Sequence, residues 1–167
     1  GAILLETIKT SKLKTIDIGK PLPLRERYES DTLDLSNTRM DPGHVLLLSW
    51  WLTTEFSAAV TSLNCENNLA MVGELESYGY YLKTADVHAE VFKQLTDVLK
   101  TSQVTEVNFS SCGIGPVALG HLSDWVREAT AAVARLSLRG NMITGSTDVG
   151  YSYAKYDTDL SGLISLC

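Results

Sequence analysis

Apolar residues recur along this chain in two alternating rhythms. In some short stretches every second residue is apolar, as at Leu136 and Leu138, or Val107 and Phe109. In longer stretches the spacing is three to four, as at Val91, Leu95, Val98 and Leu99. The first rhythm predicts strands with one buried face, and the second predicts helices with one apolar stripe. Four helical stretches open with a shared form, Gly-x-(Val/Ile)-x-Leu: Gly1, Ile3 and Leu5; Gly43, Val45 and Leu47; Gly115, Val117 and Leu119; Gly162, Ile164 and Leu166. Val87, Ala89 and Val91 make a weaker fifth.

The strands belong to a longer pattern, L-x-x-L-x-L-x-x-N-x-L. One copy is Val133, Leu136, Leu138, Asn141 and Ile143. A second is Val104, Val107, Phe109, Cys112 and Ile114, and a third is Val60, Leu63, Cys65, Asn68 and Ala70. A fourth begins with Leu13, Ile16 and Ile18 and departs at Pro21 and Pro23. Neither a strand nor a helix of this size buries its apolar face alone, so the copies are expected to stack. Ile16, Leu63, Val107 and Leu136 should then lie side by side on parallel strands. The Asn or Cys should bond backbone groups of the following bend, which would otherwise go unpaired. An alternative register makes Leu33 and Leu35 a strand of the main sheet, although no helix fits between Ile18 and Leu33.

Alternating strand and full helix, with 29 residues from Val107 to Leu136, resembles the ribonuclease-inhibitor type of leucine-rich repeat. The resemblance covers almost the whole chain apart from three insertions. It implies an α/β solenoid, a right-handed β-α superhelix or horseshoe with a concave parallel sheet and outer helices, that works as a protein-protein interaction scaffold. One domain over 1–167 is expected, with repeats at about 1–42, 43–86, 87–114 and 115–161 and the start of another at 162. Insertions are expected at about 21–41, 70–86 and 144–159. Residues 1 and 162 open the same phase of the unit, so the chain reads as a slice of a longer array, with neighbouring repeats or subunits at both ends. Immune-receptor sensor regions, tropomodulin-like proteins and the activator of Ran share this repeat. GTPase activation, other enzyme regulation or structural self-association are therefore the alternative expectations.

All seven tyrosines fall in the expected insertions: Tyr28; Tyr78, Tyr80 and Tyr81; Tyr151, Tyr153 and Tyr156. Tyrosine suits interfaces because a large apolar ring carries a polar tip, and it also packs well in hairpin strands. Rows across the sheet are expected to read Thr15, Ser62, Glu106, Arg135; Asp17, Asn64, Asn108, Ser137; and Gly19, Glu66, Ser110, Arg139. Glu106 and Arg135 would be neighbours able to pair. Binding hot spots favour Trp, Tyr and Arg, so Arg135 and Arg139 are the candidates on that face, with the tyrosine edge the stronger surface. Trp51 falls at the phase of Trp125 and belongs in the core. Trp50 falls at the phase of Asp97 and Asp124, where it either packs on a neighbouring helix or marks a contact surface.

Composition narrows the function further. A chain that is 44% hydrophobic and 20% charged with net charge −6 is poorly matched to a nucleic-acid backbone, which calls for clustered cations. No apolar run approaches the roughly 20 residues of a membrane span. Cys65, Cys112 and Cys167 lack pairing or zinc spacing, and buried free thiols suit the cytoplasm or another reducing compartment. His44, His88 and His121 show no paired metal-ligand spacing. No nucleophile elbow or phosphate-cradling loop is present. Asp157 and Asp159 read as helix-capping residues. The expectation is a binding protein, not an enzyme, without cofactor or metal.

Overall fold

The computed structural model describes residues 7, 8, 10–147 and 155–167. Its centre is a parallel sheet of four three-residue strands: β3 (Thr32–Asp34), β4 (Ser62–Asn64), β7 (Glu106–Asn108) and β8 (Arg135–Ser137), adjacent in that order. Leu33, Leu63, Val107 and Leu136 are direct register partners. Each is the middle residue of its strand. The first three are buried, while the flanking polar residues face away from the core.

A left-handed bend follows each strand, at Asn37, Asn67, Ser111 and Gly140, with φ of 58°, 60°, 54° and 73°. Asn and Gly tolerate this region best because a short polar side chain or none relieves the Cβ clash. Helices complete the units: α1 (Pro42–Leu52), α2 (Ala89–Leu99), α3 (Pro116–Glu128) and α4 (Ser161–Leu166). Each packs on the next. One hydrophobic cluster joins the inward strand residues to Leu48, Trp51, Phe92, Leu95, Leu122 and Trp125 of the helices. The architecture is α/β, as the two hydrophobic rhythms predict.

The polar position of the sequence pattern does the expected bonding, and it works across units. Asn68 donates to the carbonyls of Leu35 (2.9 Å) and Cys65 (2.8 Å) and accepts from the Met40 amide (2.8 Å). Asn141 donates to Phe109 (2.7 Å) and Leu138 (3.0 Å) and accepts from the amides of Cys112 (3.0 Å) and Ile114 (3.1 Å). Between them, the Cys112 thiol donates to the Cys65 carbonyl at 3.0 Å. A buried carboxamide thus satisfies donors and acceptors that the bends leave open.

The first strand departs from the expected register. Ile16 lies in β1 (Thr15–Asp17), which pairs antiparallel with β2 (Pro21–Pro23) in a separate two-stranded sheet, Ile16 opposite Leu22. Leu33 takes the sheet position expected for Ile16. The stretch 21–41, expected as an insertion, therefore contains a strand of the main sheet, and Thr32 and Asp34 replace Thr15 and Asp17 in its outward rows. Proline explains the exchange. Pro21 and Pro23 match Cys112 and Ile114 in the pattern, whose amides donate to the Asn141 side chain, and proline has no N–H to donate. Gly19, at φ 99°, permits the tight reversal. A hairpin, not a helix, fills the interval before Leu33, and its Ile18, Leu22 and Leu24 are each only 1% exposed.

Tyr28 and Trp51 lock this region to α1. Their rings meet edge to face at 5.8 Å, and the Trp51 indole donates to the Pro23 carbonyl at 2.9 Å. From Leu33 to Leu63 and from Val107 to Leu136 the chain advances 30 and 29 residues, but from Leu63 to Val107 it advances 44. The extra length holds β5 (Glu74–Leu75) and β6 (Leu82–Thr84), an antiparallel hairpin within the expected insertion at 70–86. In the third expected insertion, 144–159, Thr147 and Lys155 form an antiparallel bridge. Among the described residues, no helix is long and apolar enough to cross a membrane.

Candidate functional site

The β5–β6 hairpin is held against the following unit by its base. Val72 donates its amide to the Cys112 carbonyl (3.2 Å), Asp86 to Gly113 (3.1 Å), and His88 back to Val72 (2.8 Å). Gly113 sits at φ 76°, and a Cβ there would come within 2.4 Å of the Leu69 carbonyl oxygen and 2.5 Å of the Gly73 nitrogen. Only glycine permits that approach. Lys83 and Glu74 pair across the hairpin at 3.1 Å. At the tip, Glu76 donates its amide to the Tyr81 carbonyl at 3.0 Å, and Gly79 donates to Glu76 at 2.8 Å.

This base presents Tyr78, Tyr80 and Tyr81 to solvent at 80%, 77% and 71% exposure. The phenols make no hydrogen bond among the described residues. Tyrosines that served to pack the hairpin would be covered, as Tyr28 is in part. A groove of about 490 Å³ runs between the hairpin and the bends of the first two units. Its more covered lining is Met40, Asn68, Leu69, Ala70 and Leu75, and its exposed lining is Arg39, Asn67, Tyr78, Gly79 and Tyr80. Arg39 stands in the left-handed region at φ 58°. Its guanidinium has no hydrogen bond or ion pair among the described residues. Arg39 escaped the sequence pattern because it lies in the stretch assigned to an insertion. The departing bend after Leu33 and Leu35 would have located it.

Tyr151 and Tyr153 lie outside the described residues. Arg135 and Arg139 are exposed at the β8 edge. Arg139 is 4.0 Å from Glu66 with its side chain 90% exposed, a contact that contributes about 0–1 kcal/mol. Arg135 is the register partner of Glu106, yet the two form no ion pair among the described residues. Other polar groups of this face are engaged with one another. Asn64 donates to Asp34 at 3.0 Å and Asn108 to Glu66 at 3.2 Å. Asp34, Asn64 and Asn108 each accept from the amide two residues on, at 3.0–3.1 Å. The Ser36 amide holds the Asp34 carboxyl below the usual carboxylate range. A face so internally satisfied has few groups free for a partner.

Trp50 is half-buried and packs against the core, on a groove of about 670 Å³ between α1 and α2 that Leu46, Leu47 and Val98 also line. Its indole N–H is buried with no hydrogen-bond partner among the described residues. Trp51 and Trp125 are core residues, at 1% and 0% exposure. No group of three or more His, Cys, Asp or Glu side chains among the described residues is placed to hold a metal ion.

No protein-family model matches the chain, and no curated protein matches it in sequence.

Proposed function

We propose that this chain is a protein-interaction scaffold of the ribonuclease-inhibitor leucine-rich-repeat kind, working in a reducing intracellular compartment. In-register strands, repeated left-handed bends and a polar ladder that bonds across units support the repeat assignment. Three free cysteines, two of them buried, support the compartment. The observation that carries the function is the trio of exposed tyrosines on a hairpin whose base is hydrogen-bonded to the following unit. Rigid aromatic side chains bury large areas at low entropic cost, which is why they dominate interface energetics.

A second contact is expected at the free edge of β8. The amides of Leu35, Cys65 and Phe109 each donate to the next strand, at 2.7, 2.8 and 2.9 Å. Those of Asn37, Asn67 and Ser111 do the same at 2.9, 3.0 and 2.8 Å. The equivalent amides of Leu138 and Gly140 have no partner among the described residues. A neighbouring repeat or subunit would complete this pattern.

Site-specific photocrosslinking tests the reading. A photoreactive phenylalanine analogue in place of Tyr80 should capture a discrete protein partner in cells of the native source, and the same group at Arg135 should not. Capture at Arg135 with none at Tyr80 would move the binding surface to the sheet.

A further inference from the structure

We infer that the groove beneath the tyrosine hairpin receives an acidic segment of the partner, a short extended stretch in which a carboxylate neighbours an apolar side chain. This rests on the interaction-scaffold reading and adds to it the chemistry of the partner. The argument starts from charge. The chain carries −6 overall, but among the described residues the groove is lined by one cation, Arg39, and by no carboxylate. Glu76, the nearest acidic residue of the hairpin tip, is not part of that lining. A guanidinium is a planar fork of donors matched to a carboxylate, and Arg39 spends none of them on a partner among the described residues.

The other polar groups are also donors in waiting. The phenols of Tyr78 and Tyr80 each offer an O–H. Asn67 uses its side-chain nitrogen once, toward Asn37 at 3.2 Å, and its second N–H has no partner among the described residues. Asn68, by contrast, is consumed by the backbone ladder and recognises nothing outside. Met40, Leu69 and Leu75 supply an apolar surface beside these donors. The combination fits an anion with a greasy neighbour.

A polyphosphate backbone fits less well. One arginine on an acidic chain neutralises a single charge, whereas nucleic-acid affinity grows with the number of phosphates neutralised. A carboxylate at one position of a peptide needs no more than the one cation present.

The test uses fluorescence anisotropy with a labelled decapeptide in which glutamate alternates with leucine, and two twins carrying glutamine or lysine instead of glutamate. The acidic peptide should bind at least about tenfold more tightly than the glutamine twin, consistent with the loss of a charge-assisted hydrogen bond. The lysine twin should not bind, although the overall charge of the chain would attract it. Arg39→Gln should remove the preference for the acidic peptide, Tyr80→Phe should weaken binding a few-fold, and Arg135→Gln should leave it unchanged. Equal binding of the three peptides, or no binding of the acidic one at millimolar protein, overturns the proposal. Displacement of the acidic peptide by a single-stranded decanucleotide overturns it in favour of a polyanion. Self-association in sedimentation that Arg39→Gln abolishes overturns it in favour of a second copy. If crosslinking at Tyr80 captures a partner while the peptides show no charge preference, this inference fails and the scaffold reading stands. If crosslinking at Tyr80 captures nothing, the scaffold reading fails at this surface.

Discussion

Asp86 aims its carboxylate at the backbone amide of Gly115, 2.8 Å away and 29 residues later in the chain. The same carboxylate accepts from the amides of Val117 (2.7 Å) and Ala118 (3.1 Å). Gly115 is the N-cap of α3 and has no side chain with which to cap the helix itself. A Cβ on it would come within 2.5 Å of an Asp86 oxygen. The hairpin insertion thus ends on the residue that caps the helix of the next unit, and Asp86 holds the left-handed backbone at φ 63° to do so. By contrast, α1 is capped locally, by Asp41 accepting from the His44 amide at 2.9 Å.

Asp86→Ala should therefore destabilise the fold by about 1–2 kcal/mol, the range for loss of a helix cap, with further strain from an alanine in the left-handed region. Asp86→Asn should lose less, because the amide oxygen still accepts. Urea denaturation followed by circular dichroism measures both. Equal stability of Asp86→Ala and the native chain would remove Asp86 from its capping role.

The register of the first strand makes an opposite pair of demands. Leu33 is 0% exposed, and Leu33→Ala should cost about 2–5 kcal/mol as a core truncation. Ile16 is half-buried in the flanking hairpin, so Ile16→Ala should cost clearly less. Matched denaturant midpoints for the two variants would contradict this arrangement.

Thiol chemistry should divide the cysteines. Burial pushes the Cys65 thiol well above its ordinary range and the Cys112 thiol up to about 12. Both are 0% exposed, and Cys167 is exposed. The thiolate is the nucleophile, so an aromatic disulfide reagent at pH 8 should label one thiol at once. The other two should react only at the rate of unfolding. Three fast thiols would rule out the packed polar ladder.

The ion-pair cluster at the end of α2 should shape the pH profile. The hydrogen bond from Lys93 holds the Asp97 carboxyl below the usual range, helped by Lys100. Its contribution is full above the unfolded carboxylate value of about 4 and is lost as pH falls through the lower folded value. Lys100 is held above the usual lysine range by Asp97, then by Glu128. That contribution is full below the unfolded lysine value and is lost as pH rises through the higher folded one. Asp97 is 41% exposed, so solvent screening limits the effect to about 1 kcal/mol or less. Asp97→Asn should lower stability at pH 7 and narrow the difference between pH 7 and pH 3. An unchanged difference would show that the cluster does not sense acid.

The strand–helix units were legible because their causes are local. Leu63, Val107 and Leu136 alternate with polar residues, Asn68 and Asn141 stand at a fixed offset from them, and the helices begin at the repeated phase. The tyrosines of the hairpin were legible as a composition bias. Their exposure was not, since an alternating tyrosine run is equally compatible with packing.

By itself, the chain's pattern determined which segments become strands and helices, because the period of apolar residues dictates the face each element must bury. Only the tertiary structure decided that Leu33 instead of Ile16 takes the edge of the sheet, that Asp86 caps a helix from another unit, and that Arg39 lines one groove with Tyr78 and Tyr80. These outcomes are contests between residues far apart in sequence. Two stretches of similar hydrophobicity compete for one strand position, and the loser is the one whose prolines lack the amides that Cys112 and Ile114 donate to the asparagine of the neighbouring unit.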